Sequence, residues 1–222
     1  DSWRVYLYWD IELEGRSGMP GGEREQPPFI GGDHMIDETA TLKDLRVHFL
    51  ATSTQSMPLA GLIAWSLLGV AALRLSPDLV GTLALYIMAI ILPLAFILDR
   101  IRGRNLFGGG NQNPLIRLFL TSIAGIAVMV PIAIIGARGA GDPVIVVLGM
   151  AILAGVIWIP YGWAAGDPVG LKHAIARALG CYAAYALAPP PYRASAICAV
   201  VVVAYVYSLI FMRRPDASVA AL

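Results

Sequence analysis

Four residues whose chemistry is worth weighing, His173, Arg177, Cys181 and Tyr185, recur at every fourth position and so fall on one face of a helix. An imidazole one turn from a guanidinium suits an anion: arginine keeps its charge at any ordinary pH, and both groups donate hydrogen bonds. Arg117, near the start of another apolar run, offers a second cation, and Trp158, Tyr161 and Trp163 could wall a cavity. The candidate site is therefore a cytoplasm-facing cavity lined by Arg117, His173, Arg177, Tyr185, Trp158 and Tyr161. The competing reading has Arg177, about 9 Å from the start of its helix at 1.5 Å per residue, reach back to lipid headgroups while the aromatics form an interfacial belt.

Other chemistries lack their residues. The three histidines are His34, His48 and His173, with no HExxH and no His/Cys cluster, so neither a metal nor another cofactor is expected. Ser66, Ser122, Ser195 and Ser208 have no neighbouring base in sequence, and in apolar helices such hydroxyls usually bond a backbone carbonyl or cross a helix contact. No catalytic residue is identified and an enzyme is not favoured. The Gly108 to Gly110 triplet follows no strand and precedes no Gly-Lys-Ser/Thr, so it reads as a flexible connector rather than a phosphate loop. Cys181 and Cys198 lie in apolar runs, where thiols behave as small hydrophobes; they should be reduced, on neighbouring antiparallel helices.

The elements that must position these residues are membrane spans. Hydrophobic residues make up 58% and charged residues 14%, against roughly 45–50% and 25% in ordinary soluble domains, and the mean hydropathy is +0.69. A run of about 20 apolar residues crosses the hydrocarbon core as a helix. That test gives an all-α bundle of six transmembrane helices: Pro58 to Leu73, Leu79 to Leu98, Leu115 to Gly136, Val144 to Ala164, Leu171 to Ala188 and Ala194 to Met212. Short connections, Ser76-Pro77-Asp78, Gly141-Asp142-Pro143 and Pro189-Pro190-Pro191, pair them as three hairpins. None of the six contains Asp or Glu, which disfavours transport coupled through a buried carboxylate.

Charge orients the bundle. One set of alternate loops and span ends holds Lys43, Arg46, Arg100, Arg102, Arg104, Arg117, Lys172, Arg177, Arg213 and Arg214, and the other only Arg74, Arg138 and Arg193. Basic residues beside spans stay in the cytoplasm, so both termini should be cytoplasmic and the setting a bacterial-type inner membrane. The net charge of +1 hides an acidic N-terminal part and a basic remainder. The bases sit at span ends, where lipid headgroups account for them, and nucleic acid is excluded as a partner. The expected partners are the bilayer and a small solute.

The first 34 residues are read as a poorly ordered extension. Val5, Leu7, Trp9 and Ile11 alternate with polar residues as in a strand, but the Gly- and Pro-rich stretch that follows provides no second strand. Met35 is a plausible initiator. Residues 35–57 form a cytoplasmic lead-in whose Thr41 and Asp44 have the spacing of a capping box, with Leu42, Leu45 and Phe49 on one helical face. The transmembrane domain covers 58–214 and a short cytoplasmic tail 215–222.

With Asn113-Pro114-Leu115, the Gly108-Gly109-Gly110 loop before it and the short hairpins around it, the chain from Thr41 to about Arg214 resembles an uncharacterised family of small six-span bacterial membrane proteins. The resemblance implies a multi-pass fold and carries over no activity or catalytic residue. The sequence thus favours a small uncoupled permease or channel-like protein for a small solute, an anion being the form the cations suit. Its alternative is a non-catalytic scaffold or stress-related membrane protein acting through helix contacts.

The charge bias makes the topology testable. A cysteine placed at Gly139 should label with an impermeant thiol reagent outside intact cells, while one at Gly103 should label only after lysis; labelling of Gly103 from outside would reverse the orientation.

Overall fold

Proline and polar caps divide the chain into eight helices in the computed structural model, which describes residues 40–52, 56–102 and 113–213. They are α1 (Leu42–Thr52), α2 (Ser56–Ala71), α3 (Pro77–Ile101), α4 (Pro114–Ala140), α5 (Val144–Val156), α6 (Trp158–Ala165), α7 (Val169–Leu187) and α8 (Arg193–Phe211), with a single 3₁₀ turn at Pro190–Tyr192 before α8. No strand occurs among the described residues. The strand pattern at residues 4–14, Met35 and the Gly108 to Gly110 connector lie outside them.

The starts follow from local chemistry. Thr41 and Asp44 cap α1 reciprocally: the Thr41 N–H donates to Asp44 Oδ2 at 3.0 Å and the Asp44 N–H to Thr41 Oγ1 at 3.3 Å. The Thr41 hydroxyl, followed by its N–H, holds the Asp44 carboxyl below the usual carboxylate range. Ser76 and Asn113 cap α3 and α4, each ahead of a proline whose missing N–H costs nothing in the first turn. At the other ends, α4 and α6 stop on Gly141 (φ 65°) and Gly166 (φ 62°), in the left-handed region that glycine enters without strain.

Inside the helices, proline acts differently at each site. α3 and α4 run unbroken through Pro93 and Pro131, whereas the predicted span Val144 to Ala164 is interrupted at Ile157. Pro160 has no N–H for the carbonyl four residues back, and α6 begins anew at Trp158.

Length and apolarity give fewer spans than six. Four segments of the described chain suffice alone: Pro77–Ile101, Pro114–Ala140, Val144–Ala165 and Pro190–Phe211. A fifth arises if α1 and α2 count as one span bent by 53°. The reasons are physical. α2 has only 16 residues, and α7 carries Lys172, His173 and Arg177 within six positions. The described residues are helical and membrane-like, with four to five helices apolar enough to cross.

Packing makes α5 the centre of the bundle, with α3, α4, α7 and α8 around it and α2 against α3 and α8. Its Val147, Met150 and Ala151 are fully enclosed. Cys181 and Cys198 are buried and unbridged on the adjacent helices α7 and α8, and the Cys181 thiol lies 4.0 Å from the Ile197 carbonyl oxygen.

Close approach of backbones joins α6 to α7. A Cβ on Gly170 would run into the Trp158 carbonyl oxygen and the Cα of Gly162. Gly139, by contrast, has nothing within 4 Å of such a Cβ. Gly170→Ala should therefore lower stability in detergent by about 1–3 kcal/mol, while Gly139→Ala changes it by less than about 0.5 kcal/mol; equal thermal unfolding of the two variants would contradict the close contact.

Candidate functional site

Four helices meet around Arg177. Its helix, α7, buries His173, Ala174, Arg177 and Cys181 along one stripe, and the guanidinium of Arg177 is 0% exposed. Two rings border it: its Cζ is 5.5 Å from the centroid of Trp65 on α2 and 5.1 Å from that of Tyr205 on α8. The stem lies on α5, where a Cβ at Gly155 would come within 3.1 Å of Arg177 Cδ. A larger residue there would require the stem to shift by a few tenths of an ångström.

The electrostatics are one-sided. Nε, Nη1 and Nη2 of Arg177 have no hydrogen-bond partner, and the ion pair of Arg193 with Asp142 does not involve it. The indole N–H of Trp65 is likewise buried and unpaired. Ring faces attract a cation, by about 2 kcal/mol or more where water is excluded, yet an uncompensated buried charge costs several kcal/mol. The arrangement lacks an anion.

His173 extends the cluster. Its ring stacks on Trp158 at 4.2 Å between centroids and 19° between planes, and meets Tyr205 edge-on at 5.6 Å. Nδ1 lies 2.6 Å from Ser208 Oγ, so this serine uses its hydroxyl across a helix contact. Nε2 is buried and unpaired. Ser122 and Ser195 instead donate to the carbonyls of Leu118 and Tyr192.

Of the six residues expected to share a cavity, the structure brings three together. Trp158, His173 and Arg177 are in one cluster, enclosed by the bundle rather than lining an opening toward one face. Tyr161 adjoins its edge, 5.5 Å from Trp158, but belongs with Phe49 and Phe119 in a separate aromatic group. Arg117 is exposed on the first turn of α4 and joins neither. Tyr185 continues the α7 stripe past the core and donates to Asp142 Oδ2 at 2.8 Å, with Arg193 over its ring at 5.1 Å. Two turns of helix beyond Arg177 carry it about 12 Å along the axis. Trp65, Tyr205 and Gly155 are additions of the structure, and Ser208, read from sequence only as a hydroxyl for a carbonyl or a helix contact, proves to face His173. The available signal was two aromatics inside otherwise aliphatic runs, which single-chain periodicity does not aim at any particular neighbour.

Two polar clamps hold the end of the bundle where α1 docks. Asn113 accepts from the Leu115 N–H at 2.9 Å, donates to the Leu45 carbonyl at 2.9 Å and approaches His48 Nδ1 at 3.1 Å. Asp167 accepts from the N–H of Val169 at 2.9 Å and of Arg213 at 2.7 Å, tying the start of α7 to the end of α8. Among the described residues no three His, Cys, Asp or Glu side chains stand close enough to hold a metal ion.

Fold and core define a helical, membrane-type protein with an unpaired guanidinium at its centre. The chain belongs to DUF7010, a family of unknown function whose pattern matches residues 43–214. Comparison with curated proteins and with solved structures gives no match.

The clamp at His48 has a pH signature. Asn113 Nδ2 donates, so His48 Nδ1 must be an unprotonated acceptor, and burial lowers the His48 pKa from its ordinary 6.5. The contact's contribution is then complete above about pH 6.5 and disappears as pH falls through the lowered folded value. A dye on Val47→Cys should become mobile on acidification in the wild-type background. In Asn113→Ala, which leaves the Leu115 N–H and Leu45 carbonyl without their partner at a cost of about 1–3 kcal/mol, the dye should be mobile throughout. Matching pH profiles in the two backgrounds would contradict the clamp.

Proposed function

We propose that this protein is a small uncoupled permease or channel-like protein for a small anion, and that Arg177 is the group that receives the anion. The observation that carries the reading is a permanent positive charge, wholly enclosed, with three unpaired nitrogens and no carboxylate beside it. Arginine does not relieve burial by losing its proton. An anion drawn to this position gains both the charge and unpaired N–H donors, including the indole N–H of Trp65, in a medium of low dielectric. The apolar runs of the six proposed spans contain no Asp or Glu, Asp78 and Asp99 standing only at the two ends of α3, which argues against coupling through a carboxylate at membrane depth. In this proposal α2 and α7 complete six spans, packed as three hairpins in an inner membrane with both termini in the cytoplasm; their deficits in length and apolarity reflect the site they build.

The full enclosure of Arg177 also supports a second reading, a scaffold whose charge is balanced by ring faces alone. The two separate by experiment. Thermal unfolding in a non-ionic detergent, followed with sodium chloride, nitrate, formate or phosphate at constant ionic strength balanced by gluconate, should show at least one anion stabilising the wild type. At 100 times the Kd the gain is about 2.7 kcal/mol. Arg177→Met should be at least as stable as wild type without the anion, because it removes an uncompensated charge, and should gain nothing from it. Arg177→Lys should retain part of the response. Equal anion responses in wild type and Arg177→Met would remove Arg177 from the role and leave the scaffold.

A further inference from the structure

We infer that the groove between α4 and the α5–α6 break is a binding site for one anionic phospholipid, an acyl chain lying in the groove and its phosphate on Arg46 and Arg117. The groove has a volume of about 410 Å³, with Leu118, Gly125 and Ile126 of α4 facing Ile159, Pro160 and Trp163. On either side of it α4 is packed against its neighbours. Toward one end Ala133 packs on Gly149. Toward the other Leu115 joins Ala164 and Ala165. Between these contacts α4 stands off where Pro160 has broken the opposite helix. Leu118 to Ile126 spans about 12 Å of helix, and the one polar side chain on the wall, Ser122, is satisfied by its own helix. Nothing there favours a polar ligand.

The mouth has the opposite character. The Arg46 guanidinium stands 5.7 Å from the centroid of Trp163, which borders the groove, and its stem rests on Gly166. Nε of Arg46 is buried without a hydrogen bond. Arg117 is exposed on α4 one residue before Leu118, and Lys43 is exposed on α1. Two carboxylates stand near this end, Asp44 and Asp167, each already accepting hydrogen bonds from Thr41 or from the N–H groups of Val169 and Arg213, against the three cations Lys43, Arg46 and Arg117. An apolar slot opening on an excess of cations is complementary to a lipid with a net negative headgroup, and basic pockets between membrane helices select such lipids. The site is separate from Arg177 and does not depend on a transported solute.

Lipids with brominated acyl chains quench tryptophan on contact, and Trp163 is placed to report. In nanodiscs of phosphatidylcholine doped with brominated phosphatidylglycerol or brominated phosphatidylcholine, the Trp163 signal, taken as the difference from Trp163→Phe, should be quenched at a lower mole fraction by the glycerol lipid. Arg46→Gln and Arg117→Gln should each weaken that preference roughly fivefold and together abolish it, with elution and thermal unfolding unchanged. Gly125→Leu, whose added carbons enter open space, should fill the groove and remove quenching by both lipids. Equal quenching of the wild type by the two lipids would overturn the inference and leave Arg46 as a cation at the carbonyl end of α6. Persistence of the glycerol-lipid preference in a folded double variant would also overturn it, and if that variant does not fold, persistence in Gly125→Leu does the same.

Discussion

A positive charge that cannot be titrated away, held where water does not reach, governs the design of this bundle. Arg177 needs helices close enough to shut out solvent and surfaces able to tolerate a cation. Both needs are met by the same few residues. Gly155 lets the guanidinium stem lie on α5, Trp65 and Tyr205 offer ring faces from α2 and α8, and Gly61 makes room for the Tyr205 ring. Replacing any of these with an average aliphatic residue would pit packing against the charge. The His173 ring, stacked on Trp158 and bonded to Ser208, closes the cluster on the side toward α6 and adds no negative charge.

Much of the helical architecture was legible from the chain because a membrane leaves few choices: every buried backbone group must be bonded within its own helix. Uncharged runs, Pro-Asp turns and capping residues then mark elements directly, and Thr41, Ser76 and Asn113 cap where their types suggest. Depth and neighbourhood were harder to see. The four-residue spacing of His173, Arg177, Cys181 and Tyr185 gave the stripe but not its environment, since the first three enter the core and Tyr185 ends beside Asp142. Arg117 shares a charge with Arg177 and nothing else. Nor does sequence distinguish Pro93 and Pro131, which the helices absorb, from Pro160, which ends one; the difference lies in what packs around them.

Most side-chain bonds between elements lie toward the two ends of the bundle, while in its middle the His173–Ser208 contact sits within a packed cluster of rings. At one end Asp142 collects Tyr185 and Arg193 and so links the α4–α5 turn to the α7–α8 hairpin. At the other, Asp167 and Asn113 fasten α8 and α1. The glycine contact of α6 with α7 lies next to the second set. This distribution places most directional, polar bonds where headgroups and water begin and leaves the rest of the interior largely to shape, which suits an apolar medium in which hydrophobic burial distinguishes little.

Asn113 has one further property, which concerns how long the clamp endures. Asparagine side chains age chiefly when the backbone nitrogen of the next residue attacks the side-chain carbonyl and expels ammonia, leaving an acidic residue. Here the next residue is Pro114, whose ring nitrogen has no hydrogen to give up. An aspartate at this position would keep the cap on Leu115 but lose both donors, releasing the Leu45 carbonyl. The proline that starts α4 therefore also closes this route to loss of the amide that holds α1.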